Sequence, residues 1–107
     1  MPAVLSCTRE RAMAAWRSTE HLQDHFVRHR RRLRVASVAA YVTSAEETIR
    51  VGVYFEYRDP ETAEPRVGYY DEVGHRFVGL TDDETAIVTH FRCNEGYVER
   101  LPGSTYT

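Results

Sequence analysis

Apolar residues recur along this chain at two different periods, and the change from one to the other falls near residue 50. Between residues 20 and 34, Leu22, Phe26 and Leu33 share one stripe at spacings of four and seven, and His29 completes it three positions after Phe26. That is the pattern of an amphipathic helix. Ser18 and Thr19 supply N-cap chemistry, and Glu20 and Asp24 oppose the dipole of its early turns. A second helix is predicted over residues 38–49, with Ser37 as N-cap, a buried face of Ala39, Tyr41, Val42 and Ala45, and Glu46 and Glu47 on the wet side. A shorter helix over residues 8–17, with Met13, Ala14 and Trp16 as its apolar content, precedes both. From residue 51 the period becomes two: Val51, Val53 and Phe55 alternate with Gly52, Tyr54 and Glu56, a half-buried strand. Further strands are predicted over residues 67–71, 76–80 and 85–92, separated by a proline-bearing loop and two tight turns. After a turn at Asn94-Glu95-Gly96, residues 97–101 read as a short edge strand.

Helices first, then a meander of strands, predict an α+β fold with N-terminal helices packed on one face of a four- to five-stranded antiparallel sheet. At 107 residues the chain is expected to form a single domain, 1–107. An apolar share of 42% with 11% aromatics excludes a disordered polymer. The start shows no basic segment followed by an apolar run, and no stretch approaches the roughly 20 apolar residues of a membrane span. The expectation is a cytoplasmic protein with no membrane partner. Cys7 and Cys93 lie far apart, in no metal-type spacing, and free thiols are the default in that compartment.

Charge sharpens the picture through its distribution. The net charge is only −2, which argues against a general nucleic-acid coat. Residues 1–50 nevertheless carry nine arginines against five acids, and residues 51–107 five against eleven, so a polyanion would be steered to one side. Within His25-Phe-Val-Arg-His-Arg-Arg-Arg-Leu-Arg34, two histidines stand one helical turn apart among Arg28, Arg30, Arg31, Arg32 and Arg34. In the last long strand, strict alternation places Ile87, Thr89 and Phe91 on one face and Val88, His90 and Arg92 on the other. If the basic helix packs on that strand, Thr89 meets the histidines. Histidine, a hydroxyl and arginine suffice to cleave RNA with neither metal nor cofactor: a neutral imidazole takes the 2′-hydroxyl proton, O2′ attacks phosphorus, and arginine stabilises the phosphorane. Crowded arginines are expected to keep the imidazoles neutral. His29, His25 and Thr89 are the catalytic candidates, and Arg28, Arg31 and Arg92 the phosphate contacts. His90, beside Thr89, is read as a surface residue placed to face RNA. His21, His25 and His29 also repeat every four residues, but no Cys or carboxylate set joins them at metal-ligand spacing.

These stretches carry a resemblance. The "HFVRH" helix, "SVAAYVTSAEE", "GYYDEVGHRFVGL", "TAIVTHF" and "GYVERL" together resemble the barnase–EndoU–colicin D–RelE superfamily of ribonuclease toxins, most of all its colicin D-like and phage-derived branches. The resemblance spans residues 18–101 through short, degenerate motifs. It implies an endoribonuclease toxin acting on tRNA or another structured RNA, held in check by an antitoxin or immunity protein. In that likeness His29 after Arg28 matches the catalytic histidine and its basic neighbour, His25 a position commonly His or Lys, Thr89 the strand hydroxyl, and Tyr97 an aromatic after the last turn. The family pattern has Gly where this chain has Arg30, which leaves open whether the helix stops at His29 or runs on to Arg34. It also favours Gly before the Ile of the last strand, where this chain has Glu84-Thr85-Ala86. The competing reading is a non-catalytic RNA- or protein-binding α+β module that uses the same basic helix.

Overall fold

The computed structural model describes residues 15–107. Helices α1 (Thr19–Leu33) and α2 (Val38–Val51) precede strands β2 (Val53–Arg58), β3 (Pro65–Asp71), β4 (Arg76–Thr81) and β5 (Ala86–Arg92), and a short helix α3 (Glu95–Glu99) follows. The class is α+β, with helices before a sheet that is antiparallel at three of its four junctions. The fifth strand, β1 (Ala15–Trp16), pairs parallel with β5 at Ala86 and Ile87 and gives the order β1-β5-β4-β3-β2. The helix expected over residues 8–17 is therefore corrected at its C-terminal end, and its remainder lies outside the described residues, as does Cys7.

Both long helices begin where their caps predict. Ser18 and Ser37 are extended, and their hydroxyls accept from the backbone N–H of His21 (3.0 Å) and Ala40 (3.1 Å). Arg30 does not end α1, which runs on to Leu33 and closes with Arg34 in the left-handed conformation at φ 59°. Helix α2 extends through Val51, so that residue is helical rather than part of β2. Its buried face is also shifted from expectation. Ala39 is exposed, whereas Ser44 and Thr48 join Tyr41, Ala45 and Ile49 inside.

The sheet has two covered faces. On one, Val78, Leu80 and Ile87 pack against Ala45 and Ile49 of α2. On the other, Phe55, Tyr57, Tyr70 and Phe77 pack against Val98, Leu101 and Tyr106 from α3 and the C-terminal segment. The expected edge strand over residues 97–101 is thus replaced by the end of a helix, through Glu99, and a turn. Asn94 caps it through the Tyr97 N–H at 3.0 Å, and the spacing of Val98 and Leu101 sets both onto the aromatic face, which a strand of alternating direction would not do.

One irregularity decides what α1 meets. Gly79 opposes Thr89 while Leu80 opposes Ile87, so Val88 is an extra residue in β5. This β-bulge breaks the strict alternation assumed from sequence: Ile87 and His90 lie on the α2 face, and Thr89 and Phe91 on the other.

Candidate active site

Helix α1 lies along β5 beyond the short β1 and runs in the same direction as the strand. Three of its residues mark the register. His21 Nε2 donates to the Val88 carbonyl at 2.8 Å, His25 Nδ1 stands 3.4 Å from the Thr89 hydroxyl, and the His29 ring lies 5.1 Å from that of Phe91. The histidines stack down the helix, at 4.4 Å between His21 and His25 and 5.6 Å between His25 and His29. A four-residue step in a helix advances about 6 Å, close to two strand residues, which explains why a His-x-x-x-His-x-x-x-His row tracks a strand edge. On its other side α1 is anchored by Phe26, whose ring meets Tyr41 edge-on at 5.9 Å.

Between this row and the aromatic face of the sheet opens a cleft of about 420 Å³. His21, His25 and Arg28 wall it from α1, Thr89 and Phe91 from β5, and Tyr97 from α3. Gly79 leaves room for two residues of its lining: a Cβ there would collide with the Tyr57 hydroxyl and press on the Thr89 methyl. Tyr57 and Arg66, which local pattern gave no reason to single out, also line it. Arg66 is buried, paired with Glu64 (3.1 Å) and Asp59 (3.5 Å), and its Nε finds no partner among the described residues. Burial works against the Asp59 charge, but the N–H groups of Glu61 and Thr62 and the Arg66 guanidinium hold its carboxyl below the usual range. The cleft lining therefore also carries an anion at Asp59, with Glu61 beside it.

His25 and His29 are both shifted toward the neutral form. Burial first, then the neighbouring His21 and His29, then Arg28, bring His25 down to about 4. His29 is lowered by burial and by Arg28 and Arg32. Arginine crowding was the cause expected from sequence, and it ranks behind burial. His25 shows no hydrogen bond at Nε2 among the described residues, and Thr89 fixes its other nitrogen.

The structure thus brings together His25, Thr89, Arg28 and Tyr97, although 64 positions separate the first two. His29 stands one turn behind, against Phe91, outside the cleft lining. Arg31 and Arg92 meet in a different concavity. His90 is the clear correction: it is fully buried on the α2 face and presents nothing to a substrate. Its Nδ1 faces the Phe77 carbonyl at 3.0 Å, which can only accept, so the proton sits there, and Nε2 accepts from Ser44 at 2.9 Å. Arg76 donates to Ser44 in turn and is clamped by Asp71 and Glu47 at 2.7 and 2.9 Å. Only the bulge at Val88, invisible to a period-two reading, turns His90 inward.

Fold and cleft define the class: an α+β protein with a histidine- and arginine-walled cleft between a helix and the aromatic face of its sheet. No protein-family model, curated protein or solved structure matches the chain. Among the described residues no helix is long and apolar enough to cross a membrane.

Proposed function

We propose that this protein is a metal-independent endoribonuclease of toxin type, acting on tRNA or another structured RNA and inhibited by an acidic antitoxin or immunity protein. The observation that carries the reading is the pairing of His25 with Thr89 at 3.4 Å in a cleft that also holds Arg28 and Tyr97. His25 replaces His29 as the leading base, because His25 lines the cleft and has a free Nε2. Neutral at pH 7, it takes the proton of a ribose 2′-hydroxyl. O2′ then bonds to the adjacent phosphorus, the P–O5′ bond breaks, and a 2′,3′-cyclic phosphate forms. Arg28 and the Thr89 hydroxyl stabilise the charge on the equatorial oxygens. Tyr97, whose phenol is held protonated by burial and by Cys93 and Asp59, gives its proton to the leaving O5′. His29 is a positioning residue whose ring, set against Phe91, backs that of His25.

The test is incubation of the purified protein with RNA in EDTA, beside His25→Ala and His29→Ala variants. General acid–base catalysis contributes roughly 10²–10⁴-fold, so His25→Ala is expected to lose at least about 100-fold and His29→Ala less. No cleavage by the wild type, or cleavage indifferent to His25→Ala, would remove the proposal. Salt-sensitive RNA binding without product would favour the non-catalytic module.

A further inference from the structure

Two turns past His25, α1 and β5 both leave the cleft and enter a second concavity, of about 530 Å³. Arg31, Arg32 and Arg34 line it from α1, Arg92 from β5 and His75 from the β3–β4 turn. No acidic side chain lines it, and none of these four arginines forms an ion pair among the described residues. Of the other described arginines, Arg28, Arg50, Arg66 and Arg76 are matched to carboxylates, and Arg17, Arg30, Arg58 and Arg100 are not. Four like charges around one hollow repel one another, and among the described residues no carboxylate lies within ion-pair distance of them.

The backbone adds an independent sign. Four described non-glycine residues have positive φ, and two of them, Arg34 (59°) and His75 (58°), line this one basin. Glycine is the residue that adopts such geometry freely, at a helix C-terminus above all. Here both positions keep a side chain that can carry positive charge. Tyr70 orients the His75 ring, its hydroxyl 3.2 Å from Nδ1.

We propose that this basin binds phosphodiester groups of the same RNA strand whose scissile bond lies in the cleft. The inference rests on the ribonuclease reading and adds a direction to it. From His25 to Arg32 the helix advances about 10 Å. At roughly 3.4 Å per stacked nucleotide that spans about three nucleotides. The substrate strand therefore runs along α1, its reacting nucleotide beside His25 and Thr89 and its phosphates about three nucleotides away held by Arg31 and Arg92. An RNA too short to bridge the two sites loses this grip, which makes the enzyme one for strands rather than dinucleotides.

The probe is a 2′-O-methylated decanucleotide, which lacks the attacking hydroxyl, titrated by fluorescence anisotropy over a range of salt. An Arg31→Gln/Arg92→Gln variant should bind it roughly 10-fold more weakly, with a log K against log salt slope shallower by about 1.4, since each single-strand phosphate contact contributes about 0.7. A trinucleotide of the same chemistry should show less difference between the two proteins. Arg34→Gly, which relieves the left-handed strain, should also bind more weakly while its Tm holds or rises. That opposition separates a ligand role from a structural one. Equal affinities and slopes for wild type and the double variant would overturn the proposal, as would an equal loss for both probe lengths. Because the readout is binding to an uncleavable strand, it stands or falls separately from catalysis. Arginine-dependent binding by a protein that cleaves nothing would keep the basin and remove the chemistry.

Discussion

Acid should destabilise this protein through a histidine that takes no part in the cleft. His90 is completely enclosed, and its two nitrogens are committed to the Phe77 carbonyl and the Ser44 hydroxyl. Burial, with a smaller push from Arg76 and His29, brings it down from 6.5 to about 4, against the favourable bond to Phe77. A folded value below the unfolded one means that the unfolded chain binds more protons between the two. Stability is then complete above about pH 6.5 and falls as pH drops toward 4. At 1.36 kcal/mol per unit, the loss from His90 alone is about 2–3 kcal/mol near pH 4.5. Against a total of about 5–15 kcal/mol for a domain, that is a large fraction. Urea unfolding of wild type and His90→Asn at about pH 7.5 and pH 4.5 measures it. Asparagine keeps a donor for Phe77 and cannot titrate. The variant should start less stable, because Ser44 loses its acceptor, yet lose about 2–3 kcal/mol less than wild type on acidification. His25 and His29 also titrate, but they remain in both proteins and cancel in the difference. A variant with the wild-type loss, or an NMR titration placing His90 near 6.5 in the folded protein, would refute the reasoning.

The remaining predictions follow from the cleft and its supports. The rate of RNA cleavage, as kcat/KM, should fall on the acid side only as pH drops through about 4, because the base must be neutral and His25 is held there. An acid limb near 6.5 would point to a different base. Gly79→Ala should destabilise by about 1–3 kcal/mol through overpacking against Tyr57 and Thr89, and cleavage should drop further than the folded fraction explains. Chemical denaturation and activity on the same samples compare the two. Arg76→Ala should cost about 2–3 kcal/mol, since it leaves the nearly buried Asp71 Oδ2 without its two guanidinium donors and Ser44 without a donor. A loss under about 0.5 kcal/mol in denaturant titration would assign the clamp to ordinary surface pairing.

Much of the frame was legible because it is local. The stripe through Phe26, the caps Ser18 and Ser37, and the alternation around Phe55, Tyr70 and Phe77 are written into neighbouring positions, and the helices and β2–β5 followed from them. Thr89 and the histidine row could be foreseen as partners, since a helix repeating every four residues matches a strand edge. What failed was short or long-range. A two-residue parallel strand at Ala15–Trp16 has no period to read, and its pairing is set by β5 seventy positions away. Five residues after Asn94 are too few for periodicity to separate helix from strand, and the aromatic face that receives Val98 and Leu101 decided the matter.

The sequence by itself determined the two long helices, strands β2–β5, their order and the chemical types available: a basic histidine-bearing helix, a threonine in the last strand and a chain built without lysine. Only the tertiary structure decided which of these face each other. One inserted residue, Val88, turned His90 into the core and left Thr89 beside His25. The course of α1 along β5 then divided the arginines between a cleft and a basin. Side-chain direction in a strand changes by half a turn per residue, so a single bulge reassigns every later position. Its placement depends on what β4 and α2 offer across the sheet, which no local pattern contains.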